Sequence, residues 1–371
     1  MTAERDIAGF VIPFTLGIAL ATTIQQVDIH TSTHIYSASF LIAAACLIAL
    51  AHNIHNKLDT KLIWSIVITS GLCCGILCGE IDSPHFCTPV TGEGTIYGIA
   101  QNFGQNMKSL LAEISFADNS SNALATALIT GDRSSLASGD IDIFRRSGAS
   151  HILALSGMHL GIIYGLLKII FTGFGNSPSA RRIKSCLCIL TCGFYTLSTG
   201  AGPSIVRAFI FITLAEVAHL SSRRTCLKGT LLTGLLIQLM LTPSDIKSIG
   251  FQLSYAAIAG IAFIFPWLKN FWPDADNGLT GKALKWIWNS AALSIACQIT
   301  TAPIAYAYFG TFPKYFLITN LVAVPIVGLI IPAILLTSLL TCCGICPEFL
   351  VKVTEGLIDT LVHSLIVISS L

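Results

Sequence analysis

The chain has 371 residues, of which 53% are hydrophobic and only 11% charged, and its mean hydropathy is +0.76. Soluble domains carry about 25% charged residues, so a water-soluble globular protein is excluded. A formal net charge of +2 also excludes a strongly basic body that grips duplex nucleic acid by charge alone.

Residues 7–27, 29–56, 185–206, 248–268, 286–313 and 315–347 contain no Asp, Glu, Lys or Arg. Each is long enough to cross a hydrocarbon core of ~30 Å as a helix. The expected fold is therefore all-α, a polytopic transmembrane helix bundle of ten or eleven spans with short external amphipathic helices. In chain order the first part, 1–79, holds spans near 7–24, 35–51 and 62–79. The start MTAERD is not the positive region of a signal peptide, so 7–24 is read as the first span.

The polar segment 80–150 follows. Its beginning, to Gly98, is rich in Gly, Pro and Thr and reads as loop, with one short strand at 95–97 at most. Residues 99–116 then set Ile99, Phe103, Met107, Leu110, Leu111 and Ile114 at helical spacing, which predicts an amphipathic helix lying along the membrane surface. Short helices are expected near 121–130 and 139–147, with Asp132 and Ser138 as N-cap residues.

The third part, 151–371, holds spans near 151–174, 186–200, 203–220, 229–242, 249–268, 286–309 and 315–341, with a weaker one near 353–370. Lys and Arg collect in short cytoplasmic loops. Placing the N-terminus inside puts Lys57, Lys61, Arg181, Arg182, Lys184, Arg223, Arg224 and Lys228 on that side and sends 80–150 outside. Thirteen cysteines lie mostly within apolar runs, where a thiol is a small hydrophobe. Cys343 and Cys346 have C-x-x-C spacing, and Cys78 and Cys87 flank a helix exit, but neither pair has a metal-spaced histidine. No metal and no cofactor are expected.

Several positions carry chemistry. If 151–174 is one helix, Gly157, Gly161 and Gly165 form a doubled G-x-x-x-G on a helix-packing face. His151, Ser156 and His159 then share the opposite arc. A polar arc in lipid must meet water or partner side chains, so it lines a hydrated passage or hydrogen-bonds a neighbouring helix. Arg207 lies four residues after Pro203 and so ~6 Å down its helix at 1.5 Å per residue. It either snorkels to the interface or awaits an anion. Arg145 and Arg146, with Arg133, form a modest basic entrance, or else Asp142 and Arg146 make an ordinary i, i+4 pair. Gln252 and Tyr255, Gln298 and Asn320 place hydrogen-bonding groups beside helix breakers, which at membrane depth are tolerated inside protein or along a cavity.

The stretches ALITGDRSSL, IFRRSGASHILALSGMHLGII, AGPSIVRAFIF, GFQLSYAAIAGI, TTAPIAYAYFGTFP and TNLVAVPIVG resemble, in this order, the competence-type membrane domain of the ComEC family. The resemblance covers roughly residues 120–341. It implies a channel that passes single-stranded DNA into the cytoplasm during natural transformation, in the inner membrane. The family also carries an OB-like domain between early spans and a metallo-β-lactamase-like domain after the last. Here the segment before residue 98 is too short for the first, and no H-x-H-x-D-H sequence is present for the second. The expectation is a channel without chemistry of its own, lined by His151, Ser156, His159, Arg207, Gln252, Tyr255, Gln298 and Asn320. Its expected partners are single-stranded DNA, membrane lipid, and a separate DNA receptor, nuclease and cytoplasmic motor protein, with a homo-oligomer left open. Two alternatives compete: a small-molecule or lipid-linked solute transporter on the same fold, and an intramembrane hydrolase using Ser156 and His159, which lacks the G-x-S-x-G setting and an orienting carboxylate.

Overall fold

A computed structural model describes residues 2–24, 35, 38–39, 41–46, 60–80, 95–114, 116–175, 177–221, 226–271, 279–310, 314–345 and 347–370. The regular elements among them are all helical. They run α1 (Thr2–Ile24), α2 (Thr60–Glu80), α3 (Ile96–Glu113), α4 (Asn119–Thr130), α5 (Ser138–Arg146), α6 (Ser150–Leu153) and α7 (Gly157–Ile170), which ends in a 3-10 turn at Phe171–Phe174. Then come α8 (Pro178–Ser198), α9 (Pro203–Leu220), α10 (Leu227–Leu241) and α11 (Ile249–Ala259), the last prolonged by a π turn at Gly260–Ile264 and by Phe265–Lys269. Three long helices close the chain: α12 (Leu279–Phe309), α13 (Phe316–Cys342) and α14 (Glu348–Ser369).

Among the described residues five helices are long and apolar enough to cross a membrane: Gly157–Phe174, Pro203–Leu220, Ile249–Lys269, Thr280–Phe309 and Phe316–Cys342. Shorter apolar helices cover Ile7–Ala21, Ile63–Gly79 and Leu227–Leu241. The protein is an all-α membrane protein. Two further expected spans lie on helices outside both groups: 186–200 is the apolar part of α8, whose first turns carry Arg181, Arg182 and Lys184, and 353–370 belongs to α14, which carries Glu355 and Asp359. The span expected at 35–51 is described only at 35, 38–39 and 41–46, and Lys57, Arg223, Arg224, Cys87 and Cys346 lie outside the described residues.

The contacts divide the chain into two compact units, Met1–Thr88 with Arg224–Tyr255, and Pro89–Arg223 with Ala256–Leu371. In this division 224–255 groups with the first spans. In the first unit α1 and α2 meet backbone to backbone. A Cβ on Gly71 would stand 2.6 Å from the Phe10 carbonyl oxygen, and one on Gly75 would collide with that of Phe14. Gly71, Gly75 and Gly79 are the small residues at i, i+4 and i+8 that let helices approach this closely in lipid. Within the same unit Tyr255 donates its hydroxyl to Gln238 Oε1 at 3.1 Å, and Gln238 Nε2 donates to Asp245 Oδ2 at 2.7 Å.

In the second unit the main core joins Leu124, Leu128 and Ile129 of α4 to Phe144 of α5, Ile330, Ile331 and Ile334 of α13, and Leu361 and Leu365 of α14. The helices of 95–150 are therefore not all surface riders. Leu111 and Ile114 at the end of α3 are buried in this core, while Ile96, Ile99 and Phe103 at its start stay exposed. The first half of α3 rests on α8, with Gly104 against the Ser198 carbonyl and Gln101 Nε2 donating to Leu197 O at 2.7 Å. Caps differ from expectation as well. Thr95 accepts the Gly98 N–H at 3.2 Å and opens α3, so the expected strand at 95–97 is the start of a helix. Asp118, not Asp132, caps α4, and α5 follows Ala137 with Ser138 as its first residue and no side-chain cap.

Candidate polar site at the head of α7

The chain does not run as one helix from His151. It makes α6, leaves the helical region at Ala154, and restarts at Gly157 with Ser156 as N-cap. Ser156 Oγ accepts the Met158 N–H at 3.3 Å, and the Ser156 N–H is directed at His159 Nδ1 at 3.3 Å. This is a capping box with histidine in the place usual for Glu or Gln. It satisfies donors that a helix start otherwise leaves open. The expected common arc of His151, Ser156 and His159 is thus broken by local hydrogen bonding. His151 is exposed, Ser156 half-buried, and His159 only 1% exposed. His159 Nε2 is buried without a protein hydrogen-bond partner.

The first turn of α7 meets α9: a Cβ on Gly157 would touch the Ala208 Cβ at 3.3 Å. That contact brings Ser156 and Arg207, each a chain neighbour of the touching residues, to the same level. Arg207 is 2% exposed and the largest fully buried side chain among the described residues. It does not snorkel to an interface. Leu160, Cys192, Ile205 and Ile212 pack α7, α8 and α9 together. Gly161 and Gly165 have nothing within 4 Å of where a Cβ would sit. Of the three glycines on the expected packing face, only Gly157 makes a close approach, because α9 crosses α7 at its first turn.

The basic residues before α7 have specific employment. Arg133 Nε donates to the Leu153 carbonyl at 3.0 Å and so holds the end of α6. The exposed Arg145 pairs with Asp142 at 3.2 Å across i, i+3, where i, i+4 to Arg146 was expected. Arg146 is exposed. Lys108 Nζ lies 2.7 Å from Asp132 Oδ2, and the Ser134 N–H donates to Oδ1 at 3.0 Å. These contacts, the lysine first, hold the Asp132 carboxyl well below the usual carboxylate range.

The remaining expected positions are spread over the fold. Gln252 donates Nε2 to Ile246 O at 2.9 Å and, like Tyr255, belongs to the first unit. Gln298 is half-buried on α12. Asn320 follows Thr319, whose hydroxyl donates to Ser147 O at 2.6 Å, and Asn320 Oδ1 is buried without a protein partner.

One cluster escaped the sequence analysis. Glu216 of α9 is 1% exposed, and its Oε1 accepts from Lys168 Nζ of α7 at 2.6 Å and from the Tyr164 hydroxyl. A lysine and a tyrosine at i, i+4 within a span, with a glutamate in the next-but-one helix, were the available signal. The pairing itself needed the helices side by side. Among the described residues no group of three or more His, Cys, Asp or Glu is placed to hold a metal ion.

A model of the family described as "Competence protein" matches residues 128–371. The chain belongs to the competence protein family. It is similar to "ComE operon protein 3" of Bacillus subtilis (strain 168), 25% identical over 230 residues, which cover 61% of this chain and 28% of the relative. It is also similar to "Uncharacterized protein YcaI" of Escherichia coli (strain K12), 24% identical over 225 residues, 59% of this chain and 29% of the relative. An uncharacterized protein of Aquifex aeolicus (strain VF5) is 26% identical over 178 residues, 48% of this chain and 38% of that one. The chain thus spans well under half the length of the curated relatives it matches. No solved structure matches.

Proposed function

We propose that this competence family member is an inner-membrane channel, N-terminus inside, that passes single-stranded DNA into the cytoplasm during natural transformation without chemistry of its own. The observation that carries the proposal is the polar group at the head of α7. A guanidinium 2% exposed and an imidazole 1% exposed are held among apolar spans, where ionisable side chains are costly and mark transport paths. His159 Nε2 and Asn320 Oδ1 are buried without protein partners, as befits groups that serve something other than packing. With these side chains buried, conduction requires the first turn of α7 to separate from α9 at the Gly157–Ala208 contact. Arg207 then meets backbone phosphates, one charge per nucleotide, with a bidentate fork. Strand capture, degradation and driving force fall to a separate receptor, nuclease and motor.

The hydrolase alternative has one observation behind it, the 3.0 Å contact between Ser156 Oγ and His159 Nδ1. The capping box explains that contact with no reaction, and His159 Nε2 lacks the carboxylate that orients a catalytic imidazole. Ser156→Asn separates the two, because Asn keeps an N-cap and removes the nucleophile: a channel retains transfer, a hydrolase loses it. The principal test follows labelled DNA in a deletion strain. Surface-bound DNA that still reaches the cytosol in a protected, single-stranded form refutes the proposal. Arg207→Ala and His159→Ala should reduce transfer while leaving membrane levels of the protein unchanged.

A further inference from the structure

The end of α7–α9 remote from the α6–α7 junction carries a pocket of about 150 Å³ lined by Pro178, Arg181, Arg182, His219 and Leu220. At ~30 Å³ per water that is room for about five waters, and so for a phosphate group with its oxygens. Both arginines come from the first turns of α8, a 21-residue helix whose positive dipole end faces the same space. His219 comes from the last turn of α9. The lining contains no carboxylate, and among the described residues neither arginine takes part in an ion pair. Two guanidinium forks and an imidazole N–H on one concavity form a donor set for phosphate oxygens.

The surroundings select the source of that phosphate. α9 is long and apolar enough to cross a membrane, and Leu220 in the lining, Val217 one turn before it on α9 and Ile183 next to Arg182 on α8 are exposed apolar side chains. Acyl chains cover such a surface, and the polar pocket lies where their headgroups begin. Basic pockets between membrane helices hold anionic headgroups in this way. We propose that Arg181, Arg182 and His219 form a binding site for the phosphate of an anionic phospholipid headgroup. Binding there ties the start of α8 to the end of α9 and is independent of strand passage.

The test uses the full chain purified in neutral detergent and titrated, by native mass spectrometry, with short-chain phosphatidylglycerol, short-chain phosphatidylcholine, inorganic phosphate and a short oligothymidylate. Phosphatidylglycerol should bind about tenfold or more tighter than phosphatidylcholine, and Arg181→Gln with Arg182→Gln should lose about tenfold. Arg181→Lys with Arg182→Lys keeps the charges but removes the guanidinium forks and should lose about threefold, and His219→Gln should also lose about threefold. These two variants carry the test should the glutamine pair fail to fold. Equal binding of the two lipids, or phosphatidylglycerol binding unchanged in the glutamine and His219→Gln variants, overturns the site. Inorganic phosphate or oligothymidylate binding as tightly through the same arginines overturns the lipid assignment.

Discussion

Replacing Lys168 by Met should damage the protein far more than replacing Glu216 by Gln, although the two side chains share one ion pair. The reason lies in their unequal exposure, 39% for the Lys168 side chain and 1% for that of Glu216. Removing one partner of a buried pair costs about 3–5 kcal/mol, because the other charge is stranded. With the lysine end open to solvent, solvent screening trims the expected loss for Lys168→Met to about 2–4 kcal/mol. Glu216→Gln strands no charge: the ammonium swings to water on its flexible stem and the Tyr164 hydroxyl keeps an acceptor, for a loss of about 1 kcal/mol. The double variant should return to within about 1 kcal/mol of wild type, which makes the pair strongly non-additive. Unfolding of the purified chain in mixed micelles with increasing dodecyl sulfate, followed by near-ultraviolet circular dichroism, measures all four proteins. Equal losses for the two single variants, or additive losses in the double one, would refute the argument that the burial of Glu216 sets the cost.

Gly75→Ala should split the α1–α2 pair, since the added methyl runs into the Phe14 carbonyl, with a loss of about 2–3 kcal/mol in the same titration. Gly165→Ala should be neutral or slightly stabilising, because nothing lies within 4 Å and alanine favours the helix by up to ~1 kcal/mol. Arg133→Ala should free the Leu153 carbonyl at a cost of about 1–3 kcal/mol and raise hydrogen exchange in α6 and the first turn of α7, with Arg133→Lys recovering only part. The Asp132 carboxyl is depressed in the folded state, so its contribution is complete above the unfolded-state carboxylate value of 3.8 and fades as pH falls through the lower folded value. Wild type should lose this increment in acid, while Asp132→Asn, already without it, shows a flatter pH dependence of stability.

Composition and the charge-free runs determined by themselves that the protein is helical and membrane-borne. The hydrocarbon core leaves backbone polar groups no other partner than their own helix, and helix length follows from its thickness. The ordered motif series likewise pointed to the family. Pairings in space were beyond the sequence, because helices offer several similar faces and only docking chooses among them. Two glycine triplets with the same i, i+4, i+8 spacing show this. Gly71, Gly75 and Gly79 are pressed against α1, whereas Gly161 and Gly165 touch no neighbour, a difference that lies in which helix arrives. Ser156 and His159 have a spacing that fits a shared helix face as well as a capping box, and the backbone at Ala154 decided for the box. Arg207 was visible as an intramembrane charge, but its burial, like the docking of Glu216 on Lys168, exists only once α7, α8 and α9 stand side by side.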